Sequence, residues 1–261
     1  MTDSILLEIE DGLARVTLHR PERFNATDIE MGERWRDIAR RVTADPAVGA
    51  VLLDAAGPAF CAGGDVIAMA ASGIGGSEVA ATARAIHDGI RAFVESDTPV
   101  VAAVQGAVAG GGLGLMLTAD YVIASPSARF VSRYANVGLT PDLGVSTLLP
   151  AAIGQRRALQ LLLQDRALTA AEALDWGLVA EVADDAGARA REVAGFWLGG
   201  ATAAFGQAKR LIRTGAHRSF ADNLADEAAT IGRAFDTEES RSRVAAFAAA
   251  SARRAEERPA R

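Results

Sequence analysis

Two short apolar-rich runs, Ile5 to Ile9 and Leu13 to Leu18, flank the pair Asp11-Gly12. Asp-Gly supplies the positive φ angles of a tight turn, so these residues predict a β-hairpin. A polar stretch from His19 to Asn25 reads as a loop. Asp28 then opens a stretch whose apolar Ile29, Trp35, Ile38 and Val42 predict an amphipathic helix ending at Asp45-Pro46. Val48 to Leu53 predicts a short apolar strand, which Gly57-Pro58 terminates. The Gly/Ala/Ser patch from Ala70 to Ser77 reads as a mobile loop, Glu78 to Glu95 as a helix, and Pro99 to Val104 and Tyr121 to Ala124 as strands. Beyond Gly154 the pattern becomes almost entirely helical, with start signals at Thr169, at Asp184 and at Asp236-Thr237 ahead of Glu238 and Glu239.

Strands alternating with helices over the first two-thirds argue for a layered α/β spiral, with the later helices as a cap or oligomerisation layer. No Pro- or Ser-rich linker separates the parts, so the expectation is one fold: a core over 1–199 and a C-terminal helical region over 200–261. No regular short repeat is visible, and Ser251 to Arg261 reads as a frayed, charged tail. The segment Thr98 to Ala119 carries no charge and is long enough to span a bilayer. Its five glycines and Gln105 argue instead for a strand, a glycine turn and a helix buried in protein.

Composition narrows the classes. Half of the 261 residues are apolar, which excludes a disordered or fibrous chain. A formal charge of −6 argues against a nucleic-acid partner, because phosphate neutralisation needs clustered positive charge. The single cysteine, Cys61, cannot form an internal disulfide and has no partners at zinc-ligand spacing. The first residues lack a basic region followed by an apolar core, so no secretory signal is expected and a cytoplasmic location is the default.

Three segments place backbone groups or a carboxylate where a loop meets a helix. Ala59 to Asp65 follows a strand and contains Gly63-Gly64, which can turn sharply and present unobstructed N–H groups. Val108 to Leu115 contains Gly110-Gly111-Gly112 at a strand-to-helix turn, where helix-terminal amides favour negative charge. Gly138 to Gly144 carries one acid, Asp142, directly after Pro141. Taken singly, such segments also serve plain packing and helix initiation. The glycine run does not fit a dinucleotide fingerprint, because Leu115 stands at its third glycine position; a phosphate loop and a Gly-x-Ser-x-Gly elbow are absent as well.

In their order and spacing, together with the Leu18 to Ala26 stretch, these segments resemble the crotonase superfamily, the enoyl-CoA hydratase/isomerase proteins, over nearly the whole chain. The resemblance implies an α/β spiral of ββα turns with a C-terminal helical trimerisation region, giving a homotrimer or a dimer of trimers. It implies an acyl-CoA thioester substrate and no cofactor beyond the CoA that substrate carries; the net charge argues against nucleic acid as a partner, and the glycines of Thr98 to Ala119 argue against a membrane. Two backbone amides, matched here to Gly64 and Gly111, would hold the thioester oxygen as an enolate forms. Preorganised donors of this kind are each worth roughly 2.7–4 kcal/mol of barrier. Ala62, Asp65, Val66, Ile67 and Tyr134 are placed by the same match around the substrate, with acyl-pocket walls from Ala68 to Val79 and the C-terminal helices; Arg20 and Arg23 become candidates for the CoA phosphates.

The chain departs from the hydratases of that family. Their two water-activating glutamates fall on Gly114 and Tyr134, neither of which is a carboxylate base. A third position, filled by Asp142, carries the proton-transferring acid of several isomerase branches. The stretch Gly138 to Pro150 resembles most the ring-opening and double-bond isomerases of phenylacetate-type catabolism. The expected function is therefore an acyl-CoA isomerase; a hydratase or hydrolase with atypical water activation and a non-catalytic acyl-CoA-binding protein are the alternatives. His19, His87 and His217 show no mutual spacing that suggests a catalytic set, and Cys61 reads as a packing residue.

Overall fold

Asp11 and Gly12 both adopt the left-handed conformation, with φ of 48° and 81°. They join two antiparallel strands, β1 (Ile5–Glu10) and β2 (Leu13–Leu18), paired in register from Ile5–Leu18 to Glu10–Leu13. This computed structural model describes residues 3–164, 166–216 and 218–256. Within it the hairpin is one edge of a six-stranded sheet, which continues through β3 (Ala50–Ala55), β4 (Val100–Val104), β6 (Tyr121–Ala124) and β9 (Glu181–Val182), all parallel to β2. A second sheet of three strands contains β5 (Ala107–Ala109), β7 (Arg129–Val131) and β8 (Ala167–Thr169).

The apolar runs Ala50 to Leu53 of β3 and Val100 to Val104 of β4 follow from burial on both faces. Alternate residues Val51, Leu53, Val100, Ala102 and Val104 enter the main core, which includes Trp35 and Ile38 of α1 (Ile29–Ala44) and Ile86, Ile90 and Phe93 of α3 (Gly76–Glu95). Their neighbours Ala50, Leu52, Val101 and Ala103 face the other way, onto Ala186, Ala190, Val193 and Ala194 of α8 (Ala186–Gly199). Small residues on both surfaces let α8 lie close to the sheet. The charge-free segment is buried as expected: it forms β4, β5 and α4 (Gly111–Leu117), every residue of which is buried. Among the described residues no helix is long and apolar enough to cross a membrane.

Several expectations change. Most of the Ala70–Ser77 patch is helical: α2 (Val66–Ser72) ends on Gly73 in the left-handed conformation, and α3 begins at Gly76. Asp65 caps α2 by accepting from the Ala68 N–H, while Glu78 reaches back to the Gly75 N–H, so the glycines mark helix ends rather than a loop. The region after Gly154 also contains β8 and β9, whose three and two residues are too short to show a period. Asp185, not Asp184, caps α8, by accepting from the Ala188 N–H. Part of the region read as a frayed tail continues α11 (Glu238–Glu256), and 257–261 lie outside the described residues.

The helices after α8 are α9 (Thr202–Gly215), α10 (Phe220–Phe235) and α11. Lys209 fastens α9 to the body. Its ammonium, 4% exposed, donates to the carbonyls of Phe93 and Thr98 at 2.7 and 2.6 Å and pairs with Asp120 at 3.2 Å. Burial pushes the Lys209 pKa down, against the opposing pull of Asp120. Lys209→Met keeps the stem but leaves two carbonyls without their donor. It should lower unfolding free energy by about 3 kcal/mol, read as a drop in the urea midpoint at unchanged m-value.

Candidate active site

The two glycine segments meet because one of them tolerates no side chain. Cys61 donates to the Ala107 carbonyl at 3.0 Å and accepts from the Ala109 N–H at 2.9 Å, which lays the 59–65 segment along β5. The start of α4 then lies directly over that segment: a Cβ on Gly112 would sit 2.3 Å from the Cys61 carbonyl oxygen. A Cβ on Gly63 would lie 3.6 Å from the Gly111 nitrogen. On the other side Thr27 bridges Gly64, donating to the Gly63 carbonyl at 2.7 Å and accepting from Asp65 at 2.9 Å. Among the described residues neither the Gly64 nor the Gly111 N–H has a hydrogen-bond acceptor.

Both glycines line a cavity of about 390 Å³. Its walls are mainly apolar, from Ile29, Val66, Met69, Ile74, Val79 and Ile86 on one side to Val137, Leu139 and Leu143 on the other. That size and lining suit an apolar ligand oriented by a few polar groups. Asp142 stands among them: its Oδ1 is 3.9 Å from where a Cβ on Gly111 would be. The Tyr134 hydroxyl donates to Asp142 Oδ1 at 2.7 Å. Burial, and next the negative charge of Asp142, push the Tyr134 pKa well above its ordinary value, so the hydroxyl remains a donor. Leu143 is wedged against α4, since a Cβ on Gly114 would strike its carbonyl oxygen at 2.1 Å. Its N–H donates to His87 Nε2 at 3.0 Å.

Of the residues singled out from sequence, the fold brings Ala62, Gly64, Asp65, Val66, Gly111, Tyr134 and Asp142 to one cavity. Arg20, Arg23 and Ile67 are not on its wall; Ile67 is exposed. The two arginines converge on Asp65. Arg23 pairs with it at 3.0 Å, and Arg20 reaches it at 3.4 Å while pairing with Asp28 at 2.8 Å and donating to the Ala26 carbonyl. Among the described residues of this one chain, none from α9, α10 or α11 lines the cavity. The stretch Ala68 to Val79 does contribute, through Ala68, Met69, Ser72, Ile74 and Val79.

Cys61 is fully buried, and burial pushes its thiol up to about 12, which keeps it protonated and suits a packing role. The His19 ring reaches the Asp3 carbonyl through Nδ1 at 3.3 Å, away from the cavity, and His217 lies outside the described residues. Two residues with a part in the site were not singled out. Asn25, fully buried, accepts from the Arg20 N–H and donates to the Ala56 and Ala59 carbonyls, which ties the 19–26 loop to the start of the glycine segment. His87 meets the Asp142 loop across 56 positions of sequence, a separation that leaves no local signal.

Residues 8–255 match the family model described as Enoyl-CoA hydratase/isomerase. The chain is 36% identical over 187 residues to the 1,2-epoxyphenylacetyl-CoA isomerase of Escherichia coli, covering 71% of each protein. Among solved structures it superposes on an enoyl-CoA hydratase/isomerase from Cupriavidus metallidurans with a TM-score of 0.86 at 31% identity, covering 95% of this chain and 94% of that one. An enoyl-CoA hydratase from a Polaromonas species gives a TM-score of 0.87 at 31% identity, with 94% and 96% covered.

The Asp65 cluster yields a pH test. Burial alone raises the Asp65 pKa, but the Ala68 N–H together with Arg23 and Arg20 outweighs it, and the net direction is down. A carboxyl depressed in the folded state contributes stability above its unfolded pKa and loses it as pH falls through the folded value. Asp65→Asn keeps the helix cap and removes the charge. It should cost about 1–3 kcal/mol at neutral pH in urea unfolding, and the difference from wild type should shrink towards about pH 3.

Proposed function

The chain belongs to the enoyl-CoA hydratase/isomerase family, and on that premise we propose that it is an acyl-CoA isomerase with Asp142 as its proton-transferring base. The observation that carries this reading is the position of Asp142, a carboxylate beside Gly111 in an otherwise mainly apolar cavity. Two other acids on the wall are committed elsewhere: Asp28 caps α1 and pairs with Arg20, and Asp65 caps α2 and pairs with Arg23. Glu30 is exposed.

In the proposed reaction the thioester carbonyl oxygen accepts from the Gly64 and Gly111 N–H groups. Asp142 takes a proton from one carbon of the acyl chain, and the C–H electron pair moves into an enolate on that oxygen. The same carboxyl returns the proton to another carbon of the conjugated system as the enolate collapses. The double bond moves and the mass does not change. Tyr134 holds Oδ1, which leaves Oδ2 without a hydrogen bond among the described residues and able to face the substrate. The reaction as written uses no group besides the CoA of the substrate. The resemblance of Gly138 to Pro150 to phenylacetate-type isomerases, and the similarity to the 1,2-epoxyphenylacetyl-CoA isomerase, favour a cyclic or conjugated acyl group.

A hydratase is the second reading, favoured by solved relatives of that name. Position 114 weighs against it. The resemblance would put a water-activating glutamate there, and the Leu143 backbone fills the space in which its Cβ would have to lie. Exposed Ile212, Phe220, Ile231, Phe235 and Phe247 on the last three helices support assembly with further copies of the chain.

A panel of acyl-CoA thioesters incubated in deuterated water and followed by mass spectrometry separates these readings. Isomerisation should give a rearranged product with no added water, carrying deuterium only to the extent that the Asp142 carboxyl exchanges with solvent before it returns the proton; hydration adds water, hydrolysis frees CoA, and an inert binder leaves the thioester unchanged. Asp142→Asn should lower isomerisation about 100-fold or more while the chain stays folded, and full turnover in this variant would sink the proposal. Gly114→Glu should yield no hydrated product and should lower the melting temperature, because the new side chain must displace Leu143. A stable Gly114→Glu protein that hydrates 2-enoyl-CoA would favour the hydratase reading.

A further inference from the structure

The peptide unit joining Asp142 to Leu143 is held at both of its polar ends. Its carbonyl accepts from the Val145 N–H at 3.0 Å and from the Tyr134 hydroxyl at 3.4 Å, and its N–H donates to His87 Nε2 at 3.0 Å. It is held in an unfavourable orientation. Leu143 has φ of 48°, a left-handed conformation that residues with a side chain rarely adopt. Turning this one peptide through a half-turn would change ψ of Asp142 and φ of Leu143 together; it would bring φ of Leu143 to the negative values that residues with a side chain prefer and would swing the Asp142 carbonyl oxygen away from the Tyr134 hydroxyl. The rest of the residue has little room to relax otherwise, because its side chain and carbonyl press on Gly111 and Gly114. Backbone in such a region persists only where its surroundings over-determine it.

We propose that His87 is a positioning residue: it locks the Asp142–Leu143 peptide in its strained orientation, which keeps the Asp142 carbonyl oxygen beside the Tyr134 hydroxyl, and that hydroxyl holds Oδ1 and aims the carboxyl at the space beside Gly111. The lock requires an imidazole with its lone pair on Nε2, since that atom accepts from the backbone. His87 itself does not line the cavity, whereas Ile86 and Ala83 of the same helix do, so it acts on the reaction through the loop. Among the described residues it is the one group that accepts from the Leu143 N–H. The chemical consequence rests on the reading of Asp142 as the base; the conformational lock does not.

The test uses the full chain with His87→Leu, His87→Gln and Asp142→Asn, a 3-enoyl-CoA in deuterated water, and crystal structures of the two His87 variants. His87 is exposed on α3, so its replacement leaves the core intact. His87→Leu should lower kcat about 10- to 100-fold with KM within about twofold, because misaiming a base costs turnover and not binding. Its crystal structure should show the Asp142–Leu143 peptide turned over. His87→Gln, whose amide oxygen can reach the same N–H, should recover kcat to within about threefold and restore the peptide orientation. A wild-type kcat in His87→Leu, an unmoved peptide in its crystal structure, or a His87→Gln variant as impaired as His87→Leu would each overturn the proposal. Full turnover in Asp142→Asn would instead remove the base from the argument, and the peptide orientation in His87→Leu would still decide whether the lock exists.

Discussion

The whole site depends on one backbone-to-backbone contact, the Cys61 carbonyl against the α-carbon of Gly112. A side chain at 112 would meet that oxygen at 2.3 Å, far inside van der Waals distance, so only glycine lets α4 begin where it does. Because it begins there, the N–H of Gly111 stands next to the Gly63-Gly64 turn, and the Gly64 and Gly111 amides reach one cavity. The turn is fixed from below by the Cys61–Val108 bridge and from the side by the Thr27–Gly64 bridge. Asn25 donates to the Ala56 and Ala59 carbonyls, two hydrogen bonds that hold the 19–26 loop to the start of the same segment. The six-stranded sheet supplies the rigid floor, with β4 running into the segment that becomes β5 and α4.

A second close approach decides what chemistry the amides can serve. Gly114, one turn into α4, lies under the Leu143 carbonyl. A helix carrying a carboxylate at 114 could not accept that loop in its present place. The acid of this site therefore comes from the loop, as Asp142, rather than from α4. Glycine at 114 is accordingly more than the loss of a glutamate. It is the space that lets the Asp142 loop come down onto Gly111, and Leu143 bears the conformational strain of that fit.

The sequence was most legible where local chemistry determines structure. Asp11-Gly12 specified its hairpin, Asp28 and Thr169 cap the helices they announce, and the glycine runs marked places where backbone must pass close to backbone. It was less legible where composition is ambiguous. The Ala70–Ser77 patch has the residues of a mobile loop, yet the Asp65 and Glu78 caps make most of it helical. Arg20 and Arg23 looked available for an anionic ligand because their partner, Asp65, lies more than 40 positions away. His87 was set aside for the same reason, since its contact with Leu143 spans 56 positions. Long-range pairings assemble this part of the site, and a single sequence gives no sign of them.

A chain of net charge −6 needs no cation at the reacting centre for the anionic intermediate of the proposed reaction. In the proposed proton transfer the site carries one negative charge throughout. The charge starts on Asp142 and moves to the thioester oxygen as the carboxyl takes up the proton. Tyr134 stabilises the starting location with one hydrogen bond to a carboxylate, a contribution of about 1.5–3 kcal/mol. Two amides stabilise the final one, at roughly 2.7–4 kcal/mol each. The two amides therefore offset part of the large intrinsic cost of moving the charge from a carboxylate onto the substrate. A positive side chain at the same place would tilt this balance towards a stable enolate and slow the return of the proton. Neutral N–H dipoles on glycine backbone lower the barrier in both directions, which is what an isomerase needs.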